Sequence, residues 1–186
     1  MEEKNLVEKN CILLDQDVHS FKEVIQLIGR DFSALGIMPR TLNGLIGILT
    51  SRFIHGNVQH LMANSIPFFL LLFMLILFYK KKAFGIVLLL WLTTGLLTWL
   101  IGRTASHIGA SGVIYALASF LLFAGILSYK IKLLLPAILV IILYSSLIYG
   151  IFPNDTQVSW EAHLSGAVSG LLWAISYRKA LRTSDI

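Results

Sequence analysis

From residue 58 onward the chain is a succession of long apolar runs with short polar joints. The runs cover residues 58–79, 83–101, 112–129, 133–152 and 160–177. Each is long enough to cross ~30 Å of hydrocarbon as a helix. They are continuously apolar and do not alternate in period two, so helices are expected and a β-barrel is not. The pattern predicts an all-α, polytopic membrane helix bundle with five clear transmembrane helices. No repeat, low-complexity stretch or heptad pattern interrupts it.

The first 56 residues differ. They carry six Lys or Arg and seven Asp or Glu among short apolar clusters such as 12–14 and 24–27. Residues 34–54 are apolar but broken by Pro39 and three glycines, which predicts a segment lying in the membrane interface and not a sixth span. Three parts follow: a polar or amphipathic segment over 1–33, a membrane domain over 34–178, and a cytoplasmic tail over 179–186.

Composition sharpens this picture. With 56% hydrophobic residues, 13% charged residues and a mean hydropathy of +0.78, a water-soluble globule is excluded. The net charge of +5 and pI near 9.4 would ordinarily raise nucleic acid as a partner. Here the bases sit at the ends of apolar runs, so the lipid bilayer is the expected partner and nucleic acid is not. Lys80, Lys81, Lys82, Lys130, Lys132, Arg178, Lys179 and Arg182 all fall on one side of the membrane, whereas the opposite joints hold only Arg103 and Asp155, with Glu161 just beyond. An excess of Lys and Arg marks the cytoplasmic side, which places the lysine loops and the C-terminus there. No signal-peptide pattern opens the chain. The single cysteine, Cys11, excludes an internal disulfide framework and a cysteine-rich metal site.

Polar groups inside membrane helices are costly, so each is a candidate functional residue. His60 and Asn64 stand four apart and share a helix face, with His55 just before them. Ser111 lies between Gly109 and Gly112, with Tyr115 one turn later. His163 sits in the last run, where Gly166 and Gly170 make a small-residue face that admits a close neighbour. Taken singly these are an interfacial cap, packing material and a structural hydrogen bonder. Together they fall at the outer ends of their helices. A serine and a histidine at one depth can form a nucleophile–base pair, and His60 and Asn64 can donate to a developing oxyanion. Glu161 lies two residues from His163 on a different helix face, so the pair would be a dyad without a carboxylate.

On His55…His60-x-x-x-Asn64, Gly109-x-Ser111-Gly112 with Tyr115, and Ala162-His163-x-x-Gly166-x-x-x-Gly170, the chain resembles the rhomboid intramembrane serine proteases over roughly residues 34–178. The resemblance implies that Ser111 is the nucleophile and His163 the general base. It implies that His60, Asn64 and the Ser111 amide form the oxyanion hole, and that Tyr115 packs on the histidine ring. Residues 35–40 and the apolar stretch after them look like the family's half-embedded first loop. Expected substrates are transmembrane helices of other proteins, cut near their outer ends. No cofactor or metal is expected. A rhomboid core usually has six spans. Here the stretch where the first should lie, 12–38, carries Asp15, Asp17, Lys22, Glu23, Arg30 and Asp31. An inactive relative that binds membrane helices without cutting them remains an alternative. A transporter would want acidic partners and inverted repeats, and a zinc protease would want His-Glu-x-x-His.

Each charge at mid-bilayer costs ~2.5–3.5 kcal/mol, and each large apolar residue returns only ~0.3–0.6. Residues 12–38 should therefore not cross, and 18–38 should lie on the surface as an amphipathic helix. Five spans with a cytoplasmic C-terminus then put Cys11 outside. An impermeant maleimide is expected to label Cys11 in intact cells. Labelling only after permeabilisation would mean that part of 12–54 crosses.

Overall fold

The computed structural model describes residues 32–153 and 158–183. Cys11 and most of the expected amphipathic segment lie outside those residues, as does Asp155. Among the described residues there is no strand, only an isolated bridge between Ile37 and His107. Five long helices carry the fold: α1 (Val58–Tyr79), α2 (Ala83–Ile101), α3 (Ser111–Ser128), α4 (Ile131–Tyr144) and α5 (Trp160–Thr183). The all-α expectation holds.

The joints have local causes. Asn57 caps α1, its Oδ1 accepting the His60 N–H at 2.7 Å. Helices α1 and α2 are separated at the lysines 80–82, where the chain turns at Lys80 with φ +46°. Tyr129, at φ +56°, ends α3. The fourth run does not stay α-helical to 152 as its hydropathy suggests. It tightens after Tyr144 into a 3-10 stretch, Ser145–Ile151, where two serines and Gly150 favour the helix poorly. Before α1, residues 32–53 form short helical turns, with Leu42, Leu49 and Phe53 exposed.

Contacts fix the directions. Gly112 meets Gly166 near the start of α3 and α5, and Arg182 near the end of α5 donates to the Leu127 carbonyl, so these two helices run parallel. Asn64 lies by Gly109 and Tyr79 by Phe120, so α1 runs with them. Helix α4 runs back, with Leu133 beside Gly125 and Gly150 beside Tyr115. Helix α2 does likewise, since Thr93 bonds Ser169 while Arg103, just past the end of α2, meets Glu161 at the start of α5. The starts of α1, α3 and α5 thus gather at one end.

Three stretches are long and apolar enough to cross a membrane: Val58–Ile101, Ser111–Ser128 and Ile131–Ile151. Helix α5 is not among them. It places His163, Ser165, Gly166, Ser169 and Gly170 on its packed side, which lowers its hydropathy while burying the polar atoms in protein. Thr93 and Ser169 share a hydrogen bond, and Trp173 Nε1 donates to Thr93 Oγ1 at 3.2 Å. Helix α3 is the inner helix, with 72% of its span buried against 22% for the other two stretches.

The α3–α5 seam is a backbone contact. A Cβ on Gly166 would overlap the Gly112 carbonyl, and one on Gly170 the Ala116 carbonyl. Neither obstacle is a flexible side chain, so a larger residue must push the helices apart. Gly170→Leu should cost about 1–3 kcal/mol, as overpacking does, measured by unfolding in mixed micelles. Wild-type stability would mean that the seam is looser than drawn.

Candidate active site

The gathered helix starts bring the polar residues of three separate segments together. With α1 capped at Asn57, His60 and Asn64 project from successive turns. Gly109 passes directly over them. It holds φ at +100°, and a Cβ there would stand 2.8 Å from His60 Cε1 and 3.4 Å from Asn64 Nδ2. A side chain at 109 is thus excluded both by backbone strain and by space. The Gly109 N–H donates to the Ser51 carbonyl at 2.9 Å. His55 sets its ring edge-on to His60, centroids 5.1 Å apart. Asn64 is buried, yet its Nδ2 has no hydrogen-bond partner among the described residues. A buried donor left unpaired costs free energy, and such exceptions tend to mark function.

Ser111 is the first residue of α3, after Ala110 as N-cap. The first amides of a helix have no intrahelical acceptor, and the helix dipole makes that end favourable to negative charge. Tyr115 follows one turn later on the same face. Its ring stacks on His163 with centroids 4.2 Å apart and planes at 8°.

His163 lies in the first turn of α5, where its Nδ1 meets the Gly150 carbonyl at 2.9 Å. A carbonyl only accepts, so Nδ1 carries the proton and Nε2 keeps its lone pair in the neutral ring. Ring stacking and this bond together fix orientation and tautomer. Among the described residues no hydrogen bond joins Ser111 to His163; such contacts often tighten only around substrate.

Glu161 is buried, and its Oε1 faces Arg103 Nη1 at 3.5 Å and accepts the Arg103 N–H at 3.3 Å. It holds the loop before α3 and leaves His163 with a carbonyl partner. Sequence reasoning missed Gly150, which serves through its backbone carbonyl and so carries no side-chain signal. It also missed His107. That ring donates from Nε2 to the Arg103 carbonyl (3.0 Å) and accepts the Ser159 hydroxyl at Nδ1 (2.5 Å), while its backbone pairs with Ile37.

The rhomboid domain family model matches residues 42–180. An uncharacterized protein of Mycobacterium tuberculosis is 37% identical over 158 residues, covering 80% of this chain and 66% of its own. One of Mycobacterium leprae is 32% identical, with 80% and 62% covered. A protein of Acanthamoeba polyphaga mimivirus that carries a rhomboid name is 29% identical over 154 residues, with 78% and 82% covered. The chain spans about two thirds of the length of the mycobacterial relatives it matches. No solved structure matches it.

His107 lies in the loop between α2 and α3. Burial pushes its pKa below the ordinary value; its bond to the Arg103 backbone and the nearby Glu161 oppose this, while Arg103 and Arg40 add to it. The unfolded chain therefore binds the proton more readily. The stability that His107 contributes is full above its unfolded pKa of about 6.5 and is lost as pH falls toward the folded value. Burial lowers His55 in the same direction. The melting temperature should fall between about pH 7 and pH 5, and His107→Gln should flatten that slope. An unchanged slope in the variant would remove His107 from the account.

Proposed function

Because the chain belongs to the rhomboid family and is an integral membrane protein, we propose that it is an intramembrane serine endopeptidase that cuts substrate transmembrane helices near their outer ends through a Ser111–His163 dyad. The observation that carries this reading is the pinned His163 ring. Its Nδ1 is occupied by the Gly150 carbonyl and its face by Tyr115, which leaves Nε2 as the base beside the start of α3.

In this mechanism Ser111 Oγ attacks the substrate carbonyl carbon and its proton passes to His163 Nε2. The negative charge that grows on the carbonyl oxygen is met by the Ser111 amide, His60 and the unpartnered Nδ2 of Asn64. His163 then gives its proton to the leaving amine. Water then attacks the acyl carbon as His163 Nε2 takes its proton, and His163 returns that proton to Ser111 Oγ as the acyl C–Oγ bond breaks and the carboxylic acid product leaves. Gly109 keeps the donors clear, His55 steadies His60, and Gly112, Gly166 and Gly170 let α3 and α5 close. The lysine loops and the tail lie in the cytoplasm in this reading, so the site opens to the other side and draws water from there.

A fluorophosphonate probe should label Ser111 in membranes, and Ser111→Ala and His163→Ala should each abolish cleavage of a helical reporter while the protein stays in the membrane. Removing either half of a nucleophile–base pair takes away most of the rate. His60→Ala or Asn64→Ala should lower kcat by roughly 10–1000-fold and keep probe labelling. Cleavage by Ser111→Ala above an empty-membrane background would sink the assignment. A wild-type chain that neither labels nor cuts would favour the inactive, helix-binding relative.

A further inference from the structure

Arg52, in the turn before α1, is only 5% exposed. Its Nη1 donates to Ser51 Oγ at 2.9 Å and its Nη2 reaches the Trp91 carbonyl at 3.4 Å. Its Nε has no partner, and no carboxylate pairs with it among the described residues. Burial lowers its pKa to about 10, so it stays charged at neutral pH. A buried, uncompensated cation is among the costliest features a protein can keep. The missing counter-ion has room: Arg52 lines a cavity of about 230 Å³ together with the aromatic residues Phe53, Phe68, Phe69 and Trp91 and the polar His55, Asn64 and Ser65, and no acidic side chain lines it.

The cavity's surroundings say where that anion comes from. Two of its aromatic walls, Phe53 and Phe69, are mostly exposed. Below it, α1 continues Phe69 with Phe73 and Ile76 at helical spacing, and antiparallel α2 continues Trp91 with Leu88 and Phe84. All four added residues are exposed. The two apolar stripes descend from the cavity into the depth of the membrane, where acyl chains run. We propose that this cavity is a phospholipid site, with the anionic phosphate seated on Arg52 and the acyl chains lying along the α1 and α2 stripes. The ligand class is a glycerophospholipid of the outer leaflet. Neither Ser111 nor His163 lines this cavity, but His55 and Asn64 do, so it adjoins the oxyanion side of the proposed active site.

The test uses the purified full chain in detergent and reads its melting temperature against a short-chain phosphatidylglycerol, since a ligand specific to the native state stabilises it in a saturable way. Inorganic phosphate and a short-chain diacylglycerol serve as separate arms. Saturable stabilisation by the phospholipid alone is expected. Arg52→Gln should weaken its apparent Kd about tenfold or more, and Arg52→Lys by less, because a charge-assisted bond is lost in one and kept in the other. Should Arg52→Gln fail to fold, Phe69→Ser at the exposed rim supplies the same readout and should weaken binding severalfold. An equal shift from inorganic phosphate would overturn the lipid source. An equal shift from diacylglycerol, or unaltered affinity in the variants, would overturn the phosphate site. Binding of an acidic helical peptide without binding of phosphatidylglycerol would reassign the cavity to a polypeptide and overturn the proposal.

Discussion

The backbone contact between α3 and α5 is the constraint on which everything else rests. Within a bilayer the apolar effect does not favour one helix over lipid, so helices associate by close packing and by hydrogen bonds between them. Gly166 and Gly170 bring α5 against the carbonyls of Gly112 and Ala116, and Ser119 Oγ adds a bond to the Ala167 carbonyl at 2.7 Å. With that seam closed, α3 is surrounded by protein and the remaining helices are left to face lipid. The same closeness sets Tyr115 flat against His163. The stacking of those rings is thus a consequence of glycines that carry no chemistry of their own.

The site solves an orientation problem with little charge. A histidine that is to act as a base needs one ring nitrogen protonated and held. In many sites a carboxylate does this, at the expense of a buried anion. Here the Gly150 carbonyl does it, and Glu161, two residues away, is committed to Arg103. Holding the ring by a neutral acceptor and a stacked phenol avoids placing a second charge in a low-dielectric region, where each uncompensated charge is expensive. It also explains why the chain between α4 and α5 matters: the 3-10 stretch brings a backbone oxygen, not a side chain, to the histidine.

Much of this was legible in the sequence, and for identifiable reasons. The runs 58–79 and 83–101 became α1 and α2 with unchanged bounds, because lysines at a turn and continuous apolarity leave a membrane helix few alternatives. His60, Asn64, Ser111, Tyr115 and His163 could be singled out because a polar side chain in an apolar run is conspicuous. The fourth run was less legible: its apolar residues continue to Phe152, but the α-helix stops at Tyr144, and hydropathy does not distinguish α from 3-10 backbone. Gly150, the Arg103–Glu161 pair and His107 were invisible in a stronger sense. Their roles depend on contacts between segments dozens of residues apart, and nothing local encodes those pairings. Arg52 has no local signal either, because its burial without a counter-ion depends on contacts with α2.

Helix α5 is less apolar than the other long helices because its packed face is polar. A charged group at mid-bilayer costs ~2.5–3.5 kcal/mol, and α5 opens with Glu161 and His163 and carries Ser165 and Ser169 below them. As a lone helix in lipid it would expose these groups to hydrocarbon. Docked on α3 and α2, its serine at 169 bonds Thr93, its histidine bonds Gly150 and its glutamate meets Arg103. The polar face is therefore stable only in the presence of its partners, whereas α1, α2 and α4 have the apolarity to sit in lipid by themselves. Closure of the α3–α5 seam therefore shelters the polar face of α5 in protein and sets Tyr115 against His163 through the same contact.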